Sequence, residues 1–369
     1  MFAEGLDEVS EQELRTKIKK LGEADAGGAG FGTHAHDIKA QARVFGKEKE
    51  TADSIKLSSV HHALPAAHAA NSRDKRPILI VGSTGEVGSV LVKQLSAAGQ
   101  PLRLGVRSVE GKTAAAGVEF VPFDWKAPAT FGRALEGVSA VVIIYPLAQG
   151  LAKDFEAFLP ALKAAAVHVV RMSAAGVPAP GGPDPLNFEA GVDNGVADAQ
   201  LKGSGLSYTI VAPTFFATNA LRFQSYTIND HGAFYGCCGD AATAYVAIED
   251  IAAVLAACAL APQSHNGKTY TLTGSVALKE SQVAQHLTVL LGKPVSYVDV
   301  PEQNFFEANV GAGVPKWVAQ MGVCLEKMKA LGWTAAVTSD IQQVLGRPPT
   351  SFADAIKLSS VHKVPASTQ

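Results

Sequence analysis

The sequence has few of the features that mark secreted, metal-binding or membrane proteins. Its four cysteines follow neither the spacing of a metal site nor that of a disulfide framework, so we expect reduced thiols and no bound metal. The adjacent Cys237 and Cys238 are either a redox-active pair or two ordinary loop thiols. No apolar run approaches the length of a membrane span, and the acidic segment Met1–Ser10 lacks the hydrophobic core of a secretion signal. These absences predict a cytoplasmic protein without a membrane partner.

Charge is also scarce. Charged residues make up 18% of the chain and the formal net charge is -2, so nothing in the overall balance attracts nucleic acid. Hydrophobic residues make up 47%, enough to bury the core of one large domain or two modest ones. We therefore expect a small-molecule ligand and no nucleic-acid partner.

One stretch, "PILIVGSTGEVGSVLVKQL" from Pro77 to Leu95, combines a buried-strand pattern with spaced glycines and a helical pattern. Gly82 is predicted to turn the chain out of the strand, Gly85 to let a pyrophosphate approach the backbone, and Gly88 to let the helix pack closely. N–H groups at the helix start and two hydroxyls would face the phosphates. The predicted cofactor-binding loop comprises Gly82, Ser83, Thr84, Gly85, Glu86, Val87 and Gly88.

The next predicted strand, "PLRLGVRS", ends at Arg107, where an NAD-binding fold places an acidic residue. A guanidinium pairs with a 2′-phosphate, which a carboxylate would repel. Arg107 therefore predicts NADP(H) as cofactor, with Ser108 and Lys112 near enough in sequence to assist. The alternative is that Arg107 is a solvated surface charge.

Further apolar strands, "VEFVPFDW", "SAVVIIYP" and "VHVVRMSAAG", alternate with helical stretches. This alternation predicts an α/β fold, a Rossmann-type doubly wound parallel sheet with a smaller, mostly C-terminal substrate lobe. We expect an extension over residues 1–75, an NADP-binding domain over 76–216, and a lobe over 217–369 that is interleaved with the sheet. Residues at the carboxyl ends of the strands are predicted to meet the ligand. They are Asp124 and Trp125 beside the adenine, and Tyr145, Pro146 and Ser173 further along the edge.

Several motifs together resemble those of the NmrA-like branch of the atypical short-chain dehydrogenases/reductases, over about Arg76 to Ala355. They are "GSTGEVG", "GVRS", "SGLSYTIVAPTFFATN", "VAIEDIAAVLAACAL", "GKTYTLTG" and "VLGRPPTSFADAI". The resemblance implies that the protein binds NADP(H) and belongs to a family that contains both quinone or metabolite reductases and redox-sensing regulators. It also implies that Pro213, Phe215 and Phe216 line the nicotinamide and substrate side, where aromatic rings suit a flat apolar ligand. The alternative is that these rings fill the junction between the two lobes.

Candidate catalytic residues depart from the superfamily's better-known pattern, because no Tyr in the sequence has Lys four residues later. Related proteins often carry His or Lys on the corresponding helix, with Glu one turn on. Counting back from Ser204 places Asn194 and Asp198 at those positions. Asn194 donates a hydrogen bond but no proton, whereas Asp198 would titrate if desolvated, although a helix Asp is usually solvated. Tyr145 and Ser173 are the other candidate proton donors.

Three functions are compatible with this sequence. The first is an NADP(H)-dependent reductase of a conjugated or quinone-like small molecule, because such acceptors need less acid catalysis. The second is an NADP(H)-sensing regulatory protein without turnover. The third is a non-redox isomerase or rearrangement enzyme that uses Asp193 or Asp198 as acid.

An internal repeat marks both ends of the chain. Ile55–His61 and Ile356–His362 both read "IKLSSVH", and weaker matches precede both copies in the same order. We infer that about residues 5–67 partly duplicate the C-terminal helical tail. This copy would cover the same surface on a neighbouring subunit, as in a homodimer, pack on its own, or form a disordered extension.

Overall fold

The central feature of the protein, seen in a computed structural model that describes residues 74–145, 148–182 and 184–358, is a seven-stranded sheet. Its strands are β1 (Ile78–Val81), β2 (Leu102–Val106), β3 (Val118–Pro122), β4 (Ala140–Ile144), β5 (His168–Met172), β6 (Tyr208–Pro213) and β9 (Lys268–Leu272). Their order across the sheet is β3-β2-β1-β4-β5-β6-β9, and every neighbouring pair is parallel. The predicted Rossmann-type α/β fold is confirmed.

Helices cover both faces of this sheet, as expected for strands whose side chains are apolar on both sides. Every residue of β1 and β4 is buried. The helices are α1 (Glu86–Ala97), α2 (Phe131–Leu135), α3 (Leu151–Ala165), α4 (Glu189–Lys202), α5 (Asn219–His231), α6 (Ile248–Leu260), α7 (Pro262–His265), α8 (Glu280–Leu291), α9 (Glu302–Gly311), α10 (Lys316–Ala330), α11 (Asp340–Leu345) and α12 (Phe352–Leu358). A 3-10 turn, Pro128–Thr130, precedes α2.

One face of the sheet carries α1, α6 and α11. Helix α6 buries every residue except Glu249, because it lies between the sheet and neighbouring helices. Its buried Asp250 accepts hydrogen bonds from Arg347 Nη2 at 2.7 Å and from the backbone N–H of Thr350 at 2.6 Å. The C-terminal segment is thereby fixed to the main sheet layer.

The opposite face carries α2, α3 and α4 around an aromatic cluster. The ring centroids of Phe123 and Phe131 are 5.2 Å apart, and those of Phe131 and Phe158 are 4.7 Å apart. This packing places α3 and α4 against β4 and β5, whose carboxyl ends carry two of the candidate catalytic residues.

A third core lies outside the main sheet and is formed by residues from α5, α8 and α12. It is accompanied by two small sheets, in which β7 (Ala233–Gly236) pairs with β11 (Ser296–Asp299), and β8 (Ala242–Thr243) with β10 (Leu278–Lys279). Since β9 and α6 belong to the main sheet layers, the chain after residue 217 contributes to both parts. The boundary at 216/217 stays a prediction.

Two further sequence predictions concern the ends of the chain and its thiols. The N-terminal copy of the repeat lies outside the described residues, and the C-terminal copy is described as far as Leu358. The four cysteines are free, and burial raises the pKa of Cys237 and Cys238 to about 12. Protonated thiols are poor nucleophiles. Within the described ranges, no helix is both long and apolar enough to cross a membrane.

Candidate functional site

The glycine loop between β1 and α1 leaves no room for a side chain at two positions. Gly82 has φ +90°, and a Cβ there would lie 2.1 Å from the carbonyl oxygen of Ile144. A Cβ on Gly88 would lie 2.1 Å from the carbonyl oxygen of Gly82. The loop therefore packs directly on β4 at one end and on α1 at the other.

The outer side of the loop suits an anionic group. Gly85 is exposed, and a Cβ there would meet only the Gly82 carbonyl oxygen, at 3.7 Å, so the surface is open. Helix α1 begins after Gly85 without a side-chain cap, which leaves N–H groups for a ligand. The buried Ser83 hydroxyl has no hydrogen-bond partner among the described residues. These donors fit the phosphates of a dinucleotide, whereas Thr84 is simply exposed.

Glu86 stands apart from the rest of the loop because it forms an ion pair with Arg222 of α5. This contact ties the start of α1 to the first turn of α5, more than a hundred residues later in the chain. Nothing in the sequence around Arg222 indicates this partner. Val87, also predicted as part of the loop, is buried in the core beneath α1.

The predicted 2′-phosphate residues follow β2. Arg107 comes directly after its last residue and is exposed. The Ser108 hydroxyl accepts the N–H of Glu110 at 3.2 Å, and Lys112 Nζ lies 5.7 Å from the centre of the Phe120 ring. Arg107 thus lies at the carboxyl edge, where a cofactor phosphate would reach it.

The residues predicted beside the adenine follow β3. Asp124 accepts the N–H of Lys126 at 2.9 Å within a short turn. The Trp125 ring centroid is 4.8 Å from that of Tyr145, so the ring joins the ends of β3 and β4. Pro146, predicted to contact the cofactor, lies outside the described residues.

Tyr145 follows β4, and its hydroxyl donates a hydrogen bond to the carboxylate of Asp154 on α3. Lys126 Nζ lies 2.7 and 2.8 Å from the two oxygens of the same carboxylate. Burial and the neighbouring carboxylate raise the pKa of Tyr145 well above its ordinary value. We call Tyr145, Asp154 and Lys126 the Tyr145 arm.

Ser173 follows β5 and repeats this arrangement with different residues. Its hydroxyl donates to Asp198 Oδ2 at 2.7 Å, and Asp198 forms an ion pair with Arg171 of β5. Arg171 Nη2 also donates to Asn194 Oδ1 at 2.9 Å. Burial raises the pKa of Asp198, and the adjacent guanidinium opposes that rise. We call Ser173, Asp198, Asn194 and Arg171 the Ser173 arm.

The structure therefore brings Ser173, Asn194 and Asp198 together, but around a cation that sequence reasoning missed. Arg171 is 1% exposed, and its guanidinium lies 5.7 Å from the centre of the Phe155 ring. The available signal was a charged residue in the middle of the apolar run "HVVRM". Asp154 and Lys126 carried no such signal, since an isolated acidic or basic residue usually faces solvent.

The aromatic residues after β6 contact the later part of the chain. Pro213 is buried at the end of the strand, and Phe216 pairs with Val246 through an isolated backbone bridge. The Phe215 ring centre lies 4.9 Å from Lys329 Nζ. Both phenylalanine rings are half-buried, and their contact with a ligand stays a prediction.

The two candidate catalytic hydroxyls share one chemical property: each donates its hydrogen to a carboxylate that is paired with a cation. A hydroxyl has one hydrogen to donate and two lone pairs to accept with. In this arrangement Tyr145 and Ser173 have only lone pairs left for a ligand.

Comparison with known proteins agrees with the nucleotide-site geometry. Residues 82–262 match the family model described as "NAD(P)H-binding". The chain is 32% identical to the NAD(P)H azoreductase of Xenophilus azovorans, over 76% of this chain and 96% of that protein.

Two other similar proteins are reductases by name. The (4-alkanoyl-5-oxo-2,5-dihydrofuran-3-yl)methyl phosphate reductase of Streptomyces griseus is 30% identical over 75% of this chain and 95% of that protein. The crystal structure of an NADPH-dependent quinone oxidoreductase from Escherichia coli, complexed with NADPH, superposes with a TM-score of 0.67 at 26% identity. That superposition covers 76% of this chain and 98% of the other.

Proposed function

The chain belongs to the NAD(P)H-binding, NmrA-like family of atypical short-chain dehydrogenases/reductases, and from that premise we propose that it is an NADPH-dependent reductase of a conjugated, quinone- or azo-type small molecule. The observation that carries the proposal is the fit of the glycine loop to a dinucleotide. Its backbone is open at Gly85, its helix start is uncapped, and the Ser83 hydroxyl is unpartnered among the described residues.

Preference for NADPH rests on Arg107. Its guanidinium is exposed at the carboxyl end of β2, which suits the 2′-phosphate of NADPH, with Ser108 and Lys112 on the loop that follows. Bound NADPH would supply the hydride. Tyr145, Ser173 and the Phe215–Phe216 segment would line the nicotinamide side, and Asp124 and Trp125 the adenine side.

The type of acceptor follows from the hydrogen bonds of the two arms. Reducing a simple carbonyl requires a proton donor near the developing alkoxide. Tyr145 and Ser173 donate to carboxylates instead, so the proposed acceptor is one whose reduced form is a delocalised anion that takes its proton from water. The names of the similar azoreductase and quinone oxidoreductase support this class.

The same hydrogen bonds favour a second candidate, an NADP(H)-sensing protein without turnover, because Tyr145 and Ser173 donate to carboxylates and not to a substrate. The non-redox alternative gains no support. Asp193 accepts the N–H of Gly150 at 2.8 Å, and Asp198 is paired with Arg171.

Incubating the protein with NADPH and a panel of quinones, azo dyes and simple ketones tests the function. We expect NADPH oxidation with quinones or azo dyes and little with ketones. Tight NADPH binding without oxidation of any acceptor would support the sensing candidate. Product formed without cofactor consumption would contradict both.

Replacing the proposed phosphate ligand tests the cofactor assignment. We expect Arg107→Ala to weaken NADPH binding about tenfold or more and NADH binding little, because only NADPH carries the 2′-phosphate. Arg133→Ala, which removes an exposed arginine of α2, is the matched control. Equal losses for the two cofactors with Arg107→Ala would show that Arg107 does not meet the phosphate.

A further inference from the structure

The Ser173 arm has an unusual feature: its cation is more deeply buried than the carboxylate with which it pairs. The Arg171 side chain is 1% exposed, compared with 13% for Asp198. Removing a guanidinium from water is costly, and pairs of this kind seldom improve stability over well-packed apolar residues. Stability alone therefore does not account for an arginine at this position on β5.

The contacts of Arg171 reach three groups of the candidate site. One nitrogen pairs with Asp198, another donates to Asn194 at 2.9 Å, and Asp198 in turn accepts the Ser173 hydroxyl at 2.7 Å. Burial raises the pKa of Asp198 and Arg171 opposes that rise; as the ion-pair partner of this guanidinium, the carboxylate only accepts hydrogen bonds. The hydrogen of the Ser173 hydroxyl is therefore directed at Asp198.

We propose that Arg171 is a positioning residue which, through Asp198, fixes Ser173 as a hydrogen-bond acceptor toward the bound cofactor. The group that Ser173 would accept is an N–H of the nicotinamide carboxamide, the donor that a dinucleotide brings to this edge of the sheet. The proposal rests on the proposed cofactor site and adds the direction of one hydrogen bond in it.

The Tyr145 arm supports this inference independently. Its hydroxyl also donates to a carboxylate, Asp154, which is held by a cation from another element, Lys126. Two neighbouring strand ends thus carry a hydroxyl, a carboxylate and a cation in the same order. Both hydroxyls therefore have only lone pairs left, so a ligand that reaches either of them has to donate the hydrogen bond.

A cofactor analogue tests the proposal by binding rather than by turnover. In 3-acetylpyridine adenine dinucleotide phosphate a methyl group replaces the carboxamide NH₂, so the donor is lost. Calorimetry should show that the protein binds NADP⁺ roughly three- to tenfold more tightly than the analogue, the range expected for one hydrogen bond.

Two variants separate the roles of Ser173 and Arg171. Ser173→Ala removes the acceptor, so we expect the preference for NADP⁺ to disappear. In the double variant Arg171→Met/Asp198→Leu, apolar side chains replace the ion pair and the serine hydrogen is free to turn. We expect that variant to fold and also to lose the preference. Ser207→Ala, at the amino edge beside His168, should keep it.

Three results would overturn the proposal. They are equal affinity of the unmodified protein for the two dinucleotides, an unchanged preference in Ser173→Ala, and an unchanged preference in the double variant. Because binding is measured, these results are independent of whether the protein oxidises NADPH with any acceptor. Failure of the proposed reductase activity would leave the binding ratios unchanged.

Discussion

The Tyr145 arm and the Ser173 arm have the same arrangement in different surroundings. In each, a hydroxyl donates to a carboxylate that is paired with a cation. In the Tyr145 arm the carboxylate is buried and the cation, Lys126, is 52% exposed. In the Ser173 arm the cation, Arg171, is 1% exposed and the carboxylate is 13% exposed. An exposed lysine remains solvated when its partner is lost, whereas a buried guanidinium does not. The two arms should therefore respond very differently to the same perturbation.

Breaking the buried pair should have the largest effect. Arg171→Met leaves Asp198 without its cation and Asn194 without a donor, so we expect a loss of about 3–5 kcal/mol in the free energy of unfolding. Urea denaturation measures this loss. The double variant Arg171→Met/Asp198→Leu should recover most of it. If Arg171→Met is as stable as the unmodified protein, the ion pair between Arg171 and Asp198 does not contribute to stability.

Alkaline pH should act through the Tyr145 arm. The pKa of Tyr145 is raised by burial and by Asp154, so unfolded chains release this proton first, above about pH 10. Stability should therefore fall as the pH rises above that value. The contribution of one group is at most about 1.4 kcal/mol per pH unit, and less because the ring is half-exposed.

Tyr145→Phe isolates this contribution from those of other tyrosines. Thermal unfolding between pH 9 and 11 should show a shallower decline for the variant than for the unmodified protein. Ser173→Ala is the comparison variant, because a serine hydroxyl does not titrate there. Identical pH profiles for Tyr145→Phe and the unmodified protein would contradict the assignment.

Breaking the exposed pair should cost much less. In Asp154→Asn, Lys126 loses its partner but stays solvated because it is 52% exposed, and the amide oxygen can still accept the hydrogen bond of Tyr145. We expect a loss of about 1 kcal/mol or less in the free energy of unfolding, measured by urea denaturation as for Arg171→Met. A loss as large as that of Arg171→Met would remove the distinction between the two arms.

Salt should have the smallest effect on the free energy of unfolding, but it should distinguish the two arms most directly. Raising the salt concentration to 1 M screens exposed charges, so the stability difference between Asp154→Asn and the unmodified protein should shrink by a few tenths of a kcal/mol. The difference caused by Arg171→Met should stay the same, because buried pairs are screened little. Equal salt sensitivity would mean that water reaches Arg171.

Much of the local structure of the candidate nucleotide site was predictable because its signals are local. Gly82, Gly85 and Gly88 act through the backbone of one turn, and Arg107 follows directly from the end of β2. Asn194 and Asp198 were found by counting along one helix, and their spacing of four places both beside Arg171. Their roles were not predictable, because the cation between them comes from a strand.

Thus the sequence alone determined the sheet, the glycine loop and the positions of the strand ends, since apolar periodicity and glycine spacing constrain the chain locally. Only the tertiary structure decided what Tyr145 and Ser173 do with their hydrogens. Their carboxylate partners, Asp154 and Asp198, and the cations Lys126 and Arg171 come from separate elements. Whether a hydroxyl donates or accepts depends on which groups the fold places around it, and that is a property of packing rather than of local sequence.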